Sequence, residues 1–317
     1  MTALVTGAAG FVGRHLTRHL KDRGHVVSAL VHPSEHREDL VLDGVTAIES
    51  ADLLDGGALA GALAVLEPDE IYHLAAFSNP ESSLKYARQT LETNILGTQN
   101  LLEAARQGGR SPRILLVGSA QQYGNVAEDE QPISEERAQK PLTPYSVSKA
   151  SQELLGQRYF LSEGLPVFWT RSFNHTGPGQ ADAYVCSSFA RQVAEVEQGK
   201  RAPEIHVGNL AARRDFTDVR DVARAYRAIV ERGQPGRAYN VCRGEAVSIQ
   251  EVLDTLIELS TADVEVRVDP ERHHALDAPV IFGDATRLRE DTGWTPEFSL
   301  RDTLLDLLND WRDKNNR

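Results

Sequence analysis

The segment that most constrains what this chain can become lies at its start. A short apolar run, Ala3–Thr6, passes into Thr6-Gly7-Ala8-Ala9-Gly10-Phe11-Val12-Gly13 and then into an amphipathic stretch near Phe11–Arg23. Three glycines at three-residue spacing between a strand and a helix have separate physical tasks. Gly7 lets the chain turn sharply, Gly10 lets backbone N–H groups approach a pyrophosphate, and Gly13 lets helix and sheet pack closely; the helix N-terminus adds partial positive charge. A tight turn that is merely rich in small residues is the bland alternative. The position after the first strand of an alternating chain favours a dinucleotide site.

That alternation runs to about residue 173. Strand-type runs at Ala3–Thr6, Val26–Val31, Val45–Glu49, Glu70–Ala75, Arg113–Gly118 and Val167–Ser172 are separated by helical patterns near Phe11–Arg23, Gly56–Leu66, Leu84–Gln107 and Pro144–Glu163. Gly24 and Gly164 stand where left-handed caps would end the first and last helices. The pattern predicts an α/β fold, a Rossmann-type doubly wound parallel sheet covered on both faces. Beyond Asn174 the order loosens, with helical patterns near Ser187–Gln198, Phe216–Arg232 and Leu300–Trp311 and a strand at Ala238–Val241. We therefore expect residues 1–172 with 216–243 to form the dinucleotide-binding domain, and 173–215 with 244–317 a smaller, partly helical substrate-binding lobe.

Composition narrows the function. At 317 residues, 41% hydrophobic and 25% charged, the chain can bury a core without disulfide or metal staples. A formal charge of -12 argues against a nucleic-acid binder. Cys186 and Cys242 are far apart and lack Cys or His neighbours at ligand spacing, so both read as buried small hydrophobes and no metal site is expected. No membrane segment is apparent, and the N-terminus enters an apolar strand without a basic signal region, so a cytoplasmic protein is expected.

The cofactor's adenosine end leaves a readable trace. An NAD site places a carboxylate at the end of the second strand, whereas here Ala29-Leu30-Val31-His32 carries none. Arg14 and Arg37 offer cations for a 2′-phosphate, so NADP is expected, with NAD as the alternative. Asp52-Leu53 is placed to meet the adenine, although Asp52 as a helix N-cap explains it nearly as well.

Tyr145 and Lys149 stand one turn apart at the start of a helix capped by Thr143, with Pro144 at the first helical position. An ammonium beside a phenol favours the phenolate, bringing it toward useful acid–base work at neutral pH. Such a pair is common by accident, but Gly118-Ser119-Ala120-Gln121-Gln122-Tyr123-Gly124 puts the Ser119 hydroxyl at a strand's carboxyl end, where ligands of open α/β sheets bind. With the glycine turn, with His73-Leu74-Ala75-Ala76, and with Thr93-Asn94-Ile95-Leu96-Gly97-Thr98, these residues resemble the extended short-chain dehydrogenase/reductase family over essentially the whole chain.

The resemblance implies roles. Tyr145 would exchange a proton with the substrate oxygen, Ser119 would hydrogen-bond that oxygen, and Lys149 would hold the nicotinamide ribose. Gly7, Gly10, Phe11, Val12, Gly13, Arg14, His32, Asp52, Leu53, Leu74, Ala75, Ala76, Asn94, Ser172, Asn174 and His175 would line or support the cofactor channel.

The second half resembles enzymes of this family that act on GDP-linked 6-deoxyhexoses, through Arg171-Ser172-Phe173-Asn174-His175-Thr176-Gly177-Pro178-Gly179-Gln180, through Val207–Asp221, and through Tyr239-Asn240-Val241-Cys242. It is most similar to the GDP-6-deoxy-4-keto-mannose reductases, which form GDP-rhamnose, with the GDP-mannose 4,6-dehydratases as near relatives. Substrate contacts implied are Ser78, Ser119, Gln121, Asn174, Arg214, Arg272 and Asp277. Arg214 offers donors suited to a diphosphate, against a plain surface pairing with Asp215 or Asp218. His274 and Ala275 stand where relatives commonly have Arg-Pro, which loosens the nucleotide assignment.

Dehydratases place a Glu where this chain has Gln121, which takes no proton at neutral pH, so NADPH-dependent reduction of a 4-keto sugar is favoured over 4,6-dehydration. A 4-epimerase would manage without that Glu. A non-catalytic dinucleotide sensor is the rival from another class, disfavoured by the intact Ser119, Tyr145 and Lys149. The resemblance further implies a homodimer formed through helices beside the sheet, including 84–107 and 144–163.

Overall fold

The computed structural model describes residues 1–35, 42–269 and 278–315. Its centre is a sheet of seven parallel strands. These are β1 (Thr2–Thr6), β2 (Val26–Val31), β3 (Val45–Ser50), β4 (Glu70–His73), β5 (Arg113–Ser119), β6 (Val167–Ser172) and β11 (Ala238–Val241), in the spatial order β11-β6-β5-β4-β1-β2-β3. The order reverses between β1 and β4, so a crevice opens at their carboxyl ends. That is where ligands of doubly wound sheets bind.

Helices cover both faces, as the near-continuous apolar strands require. On one face, α1 (Phe11–Asp22) and α8 (Val219–Arg232) bury Leu16, Leu20, Val222, Ile229 and Val230. On the other, α2 (Gly56–Leu66), α5 (Gly97–Gln107) and α6 (Pro144–Glu163) bury Leu59, Leu63, Leu101, Leu102 and Tyr159. A third core lies apart from the sheet, where α7 (Val185–Glu197), α9 (Ile249–Glu258) and α11 (Leu300–Asn315) bring together Phe189, Val193, Val252, Leu256, Leu304 and Leu308.

Short strands frame that third core. β7 (Asn174–Thr176) pairs with β10 (Phe216–Asp218), β8 (Glu204–Val207) with β13 (Glu265–Val268), and β9 (Arg213–Arg214) with β12 (Val247–Ser248) and β14 (Val280–Ile281). Helix α10 (Thr286–Thr292) instead sends Leu288 into the core beneath α8. Both cysteines are free and buried, as their isolation in sequence predicts. Among the described residues no helix is long and apolar enough to cross a membrane.

The structure corrects the sequence reading at three places. The stretch 84–107 is not one helix but α3 (Pro80–Lys85), α4 (Ala87–Leu91), a π-helical turn at Glu92–Leu96, and α5. Tyr86 breaks the first junction, with φ -115 and ψ 43, outside the helical well. The run 216–232 begins as a strand, because Phe216–Asp218 pairs with Asn174–Thr176 and the Asp218 carboxylate then caps α8 by accepting from the Arg220 amide at 2.7 Å. β4 stops at His73, because beyond it the Ala75 amide leaves the ladder for the Thr6 hydroxyl at 3.1 Å.

Gly24 (φ +82) and Gly164 (φ +71) are left-handed at the ends of α1 and α6, as expected. The demand for glycine is sharper at Gly13, where a Cβ would lie 2.2 Å from the Gly7 carbonyl oxygen and 2.7 Å from the Ala8 Cα. Backbone atoms cannot yield as a side chain would, so α1 must move away from β1 to admit a methyl. Gly13→Ala is expected to cost about 1–3 kcal/mol in urea unfolding; an unchanged midpoint would contradict the contact.

Candidate active site

The site is assembled from the carboxyl ends of the strands upward. Gly7, at φ +68, turns the chain against the neighbouring loop so closely that a Cβ there would sit 2.8 Å from the Ala75 amide nitrogen. Its carbonyl accepts from the Gly10 amide at 3.0 Å. Gly10 then opens α1 with no side-chain cap and no acidic residue in the first turn, leaving the helix-terminal N–H groups to an external anion. This bare helix terminus, on a turn that a Cβ at Gly7 or Gly13 would force apart from its backbone neighbours, fits a dinucleotide pyrophosphate. Phe11 stacks on His175 with centroids 6.1 Å apart and planes at 14°. Val12 is half-buried against the core, while Arg14 lies exposed and donates from Nε to the Ala9 carbonyl at 2.9 Å.

At the far end of the crevice, His32 and Asp52 come together from the ends of β2 and β3, with Nε2 3.7 Å from Oδ2. The Ser34 amide donates to His32 Nδ1 at 3.2 Å, so the ring's proton is on Nε2, facing Asp52. Asp52 does not cap α2. That task falls to Asp55, which accepts from the Ala58 amide at 2.9 Å, while Asp52 accepts from Leu54. Leu53 is buried against Gly97, whose missing Cβ would lie 2.7 Å from it.

Between these ends, His73 is fully enclosed and anchors the crevice floor. The Thr98 hydroxyl donates to the Asn94 carbonyl at 2.7 Å, so His73 Nε2 must donate to Thr98 at 2.9 Å, and Nδ1 accepts from the Thr6 hydroxyl at 2.8 Å. Thr6 in turn accepts the Ala75 amide, which holds the loop Leu74-Ala75-Ala76 against the glycine turn. Burial, and secondarily the Lys149 charge, pulls the imidazole from 6.5 to about 3.

The acid–base cluster sits on α6. Thr143 caps the helix by accepting from the Ser146 amide, and Tyr145 and Lys149 follow on one face. The Lys149 ammonium, 3% exposed, donates to the Val117 carbonyl at 2.8 Å and stands 5.9 Å from the Tyr145 ring centre. Burial pulls Lys149 down to about 7. Tyr145 is pushed up to about 12 by burial, opposed by its hydrogen bond with the Ser119 side chain. Burial thus raises the phenol where spacing alone led one to expect a lowering, and the lysine nitrogen is directed at a backbone carbonyl.

Asn94 explains the π turn. Its side chain accepts the Phe77 amide at 2.7 Å, donates to the Phe77 carbonyl at 3.1 Å, and donates to the Ser148 hydroxyl at 2.8 Å. The widened turn aims it between the loop after β4 and α6. The same loop leaves Ser78 exposed beside it.

The remaining candidates fall at varying distances from this centre. Ser172 is buried and shares a hydrogen bond with Tyr226 at 2.9 Å, supporting β6 from below. Asn174 is exposed on β7, and His175 faces Phe11. Gln121 is exposed, its amide donating to the Ser119 hydroxyl at 3.3 Å. Arg214 is buried on β9 and donates to the Arg213 carbonyl at 2.8 Å. Its acidic neighbours are engaged elsewhere, Asp218 by Arg220 and Thr303, and Asp215 by the Arg243 and Gly244 amides. Arg37, Arg272 and Asp277, with His274 and Ala275, lie outside the described residues.

Sequence reasoning missed the polar layer beneath Ser119. Gln122, Glu153 and Arg171 are all buried and joined by hydrogen bonds. Glu153 follows Lys149 by four residues, as Lys149 follows Tyr145, so helical spacing was a signal for one of them.

Comparison with known proteins places this geometry. The sequence model of the GDP-mannose 4,6-dehydratase family matches residues 4–307. A GDP-6-deoxy-D-mannose reductase from Pseudomonas aeruginosa is 37% identical over 310 residues, covering 98% of this chain and 97% of the relative. The structure of RMD from Pseudomonas aeruginosa complexed with NADPH is 36% identical, covers 99% of both chains and gives a TM-score of 0.86. A Thermus thermophilus UDP-glucose 4-epimerase solved with NAD is 30% identical, covers 98% of this chain and 99% of that one, and gives 0.84.

The environment of His73 makes stability depend on acid. Its folded pKa of about 3 lies below the ordinary 6.5, so between those values the unfolded chain binds the extra proton and stability falls as pH drops. In His73→Gln, the loss of Tm on moving from pH 7 to about pH 5 is expected to be smaller than in the wild type. An equal loss would show that His73 does not carry it.

Proposed function

The chain belongs to the GDP-mannose 4,6-dehydratase family, within the extended short-chain dehydrogenases/reductases, and on that premise we propose that it is an NADPH-dependent reductase of a GDP-linked 4-keto-6-deoxyhexose, of the type that forms GDP-rhamnose. The observation that carries the reading is the Tyr145 phenol, on α6 with Lys149, hydrogen-bonded to Ser119 and beside Gln121, where dehydration would require a carboxylate. Reduction of a ketone consumes one hydride and one proton. A neutral phenol supplies the second without first needing to be recharged.

The glycine turn and the α1 N-terminus would hold NADPH, whose chemistry there would be hydride donation to the sugar carbonyl carbon. Tyr145 gives its proton to the developing alkoxide, and the Ser119 hydroxyl stabilises that oxygen by a hydrogen bond. Lys149, oriented by the Val117 carbonyl, holds the nicotinamide ribose. Asn94 keeps the loop after β4 fixed to α6, so the cofactor channel and the phenol hold one spacing. The absence of a carboxylate at the end of β2, with Asp52 engaged by Leu54 and His32, leaves that end able to accept a 2′-phosphate. Asn174 and Arg214 are assigned to the sugar and the diphosphate.

Reduction predicts loss of NADPH absorbance in proportion to the keto sugar consumed. Tyr145→Phe should lower kcat by about 10²–10⁴-fold with the Kd for NADPH nearly unchanged. The likeness to an epimerase solved with NAD favours a second reading, 4-epimerisation with the cofactor recycled; turnover without net NADPH loss would select it and sink the first.

We also assign a homodimer to the outer face of α6. Val147, Leu154 and Leu161 recur at seven-residue spacing and are 40%, 61% and 78% exposed, beside exposed Leu84, Tyr86 and Leu96 on the adjoining helical turns. Such a stripe is costly in water and suits a second copy. Leu154→Glu is expected to convert a dimer to a monomer in light scattering; an unchanged mass would remove this assignment.

A further inference from the structure

Ser119 is the only one of the three catalytic side chains that does not ride on α6, and its position must nevertheless be matched to Tyr145. The backbone N–H of Ser119 donates to the Gln122 side-chain oxygen at 2.8 Å. The other end of that amide donates to Glu153 Oε2 at 2.9 Å. Glu153 is clamped in turn by Arg171, whose Nε and terminal nitrogen reach its two oxygens at 2.9 and 2.6 Å. Arg171 also donates to the Tyr123 hydroxyl at 3.1 Å and the Glu135 carbonyl at 2.9 Å, so its own direction is fixed from β6.

Gln122 is 0% exposed, and an amide has the donor at one end and acceptor at the other that this geometry needs. Ser119 lies in extended backbone, φ -147 and ψ 144, with the Gln121 amide on its hydroxyl. Gly118 makes the approach feasible, since a Cβ there would fall 2.4 Å from the Gln122 oxygen and 2.2 Å from the Thr170 carbonyl oxygen. Because Tyr145, Lys149 and Glu153 are successive steps along one helix face, Gln122 ties the Ser119 backbone to the same rigid body that carries the phenol.

Resting on the reductase reading, we infer that Gln122 and Glu153 are positioning residues, a rail that presets the Ser119 hydroxyl against the substrate carbonyl oxygen and Tyr145. Gln122 and Glu153 are buried, 0% and 3% exposed, so the rail acts through Ser119. Its contribution appears in the transition state, where the hydrogen bond from Ser119 shortens onto a developing alkoxide, and not in ground-state binding.

The test is a double-mutant cycle on the full-length enzyme with NADPH and the GDP-4-keto-6-deoxyhexose. Gln122→Met keeps the volume and removes both rail hydrogen bonds, with the one Gln122 donates to the Gln139 side chain at 3.2 Å; kcat is expected to fall about tenfold, with KM for the sugar and Kd for NADPH changing less than about threefold. In a Ser119→Ala background the same substitution should add almost nothing, because the group it positions is gone. A structural role would lower kcat equally in both backgrounds, and that additive result overturns the inference.

Gln122→Glu keeps the oxygen for the Ser119 amide but sets a second carboxylate against Glu153. It supplies an independent arm if the Met variant does not fold, with the same non-additivity expected against Ser119→Ala. A wild type that consumes no NADPH overturns the functional reading and the inference together. An active wild type with additive variants overturns the inference alone.

Discussion

The close seating of α6 on β5 and β6 is the contact from which the site takes its dimensions. Gly156 makes it possible, because a Cβ there would lie 2.8 Å from a Leu116 methyl and 3.2 Å from a Val167 methyl. With the helix drawn in, the Lys149 ammonium reaches the Val117 carbonyl, and Glu153 reaches both Gln122 and Arg171. Burying a lysine and an ion pair is unfavourable unless each charge finds fixed partners. Here the partners lie on β5 and β6 or in the turn just after β5, so the groups that make burial tolerable also locate α6.

A second close approach sets the cofactor side. Gly7 and Gly13 bring the loop after β4, the turn after β1 and helix α1 within van der Waals reach, and the Thr6–His73–Thr98 chain of hydrogen bonds joins them to α5. Gln152 on α6 donates to the same Thr98 hydroxyl at 2.5 Å. The pyrophosphate cradle and the acid–base helix are thus parts of one buried polar network beneath the switch point. A neutral His73, held with one nitrogen donating and the other accepting, suits that task; a protonated ring would have no acceptor to give Thr6.

The lobe is joined to this frame at a few points. His15 donates from Nε2 to the Pro178 carbonyl at 2.8 Å, and the Gly179 amide donates to Asp310 on α11 at 2.9 Å, so the turn after β7 spans from the cofactor helix to the lobe's last helix. Asp215, pushed up to about 6 by burial, accepts the Arg243, Gly244 and Gly283 amides and gathers two loops around β9 and β10. Asn174, His175 and Arg214 lie on the strands held this way, which puts the residues assigned to sugar and diphosphate on short, well-anchored elements.

Much of this was legible in the amino acids. Period-two and period-3.6 patterning located the strands and most helices, and the glycine spacing and the Tyr145/Lys149 step marked the two ends of the site, because those signals are local: they depend on neighbours three or four residues away. The cap at Asp55 instead of Asp52 was a local choice, three residues from its partner Ala58, but the broken helix at 80–107 and the strand opening 216–232 were decided by partners distant in sequence. So were the burial that raises the Tyr145 phenol and the rail from Arg171 to Ser119, whose members span residues 119 to 171. Sequence by itself settled which chemical groups the crevice contains. Only the tertiary structure decided how dry they are and which way they point, since desolvation and hydrogen-bond direction are properties of packed surroundings and not of spacing along a chain.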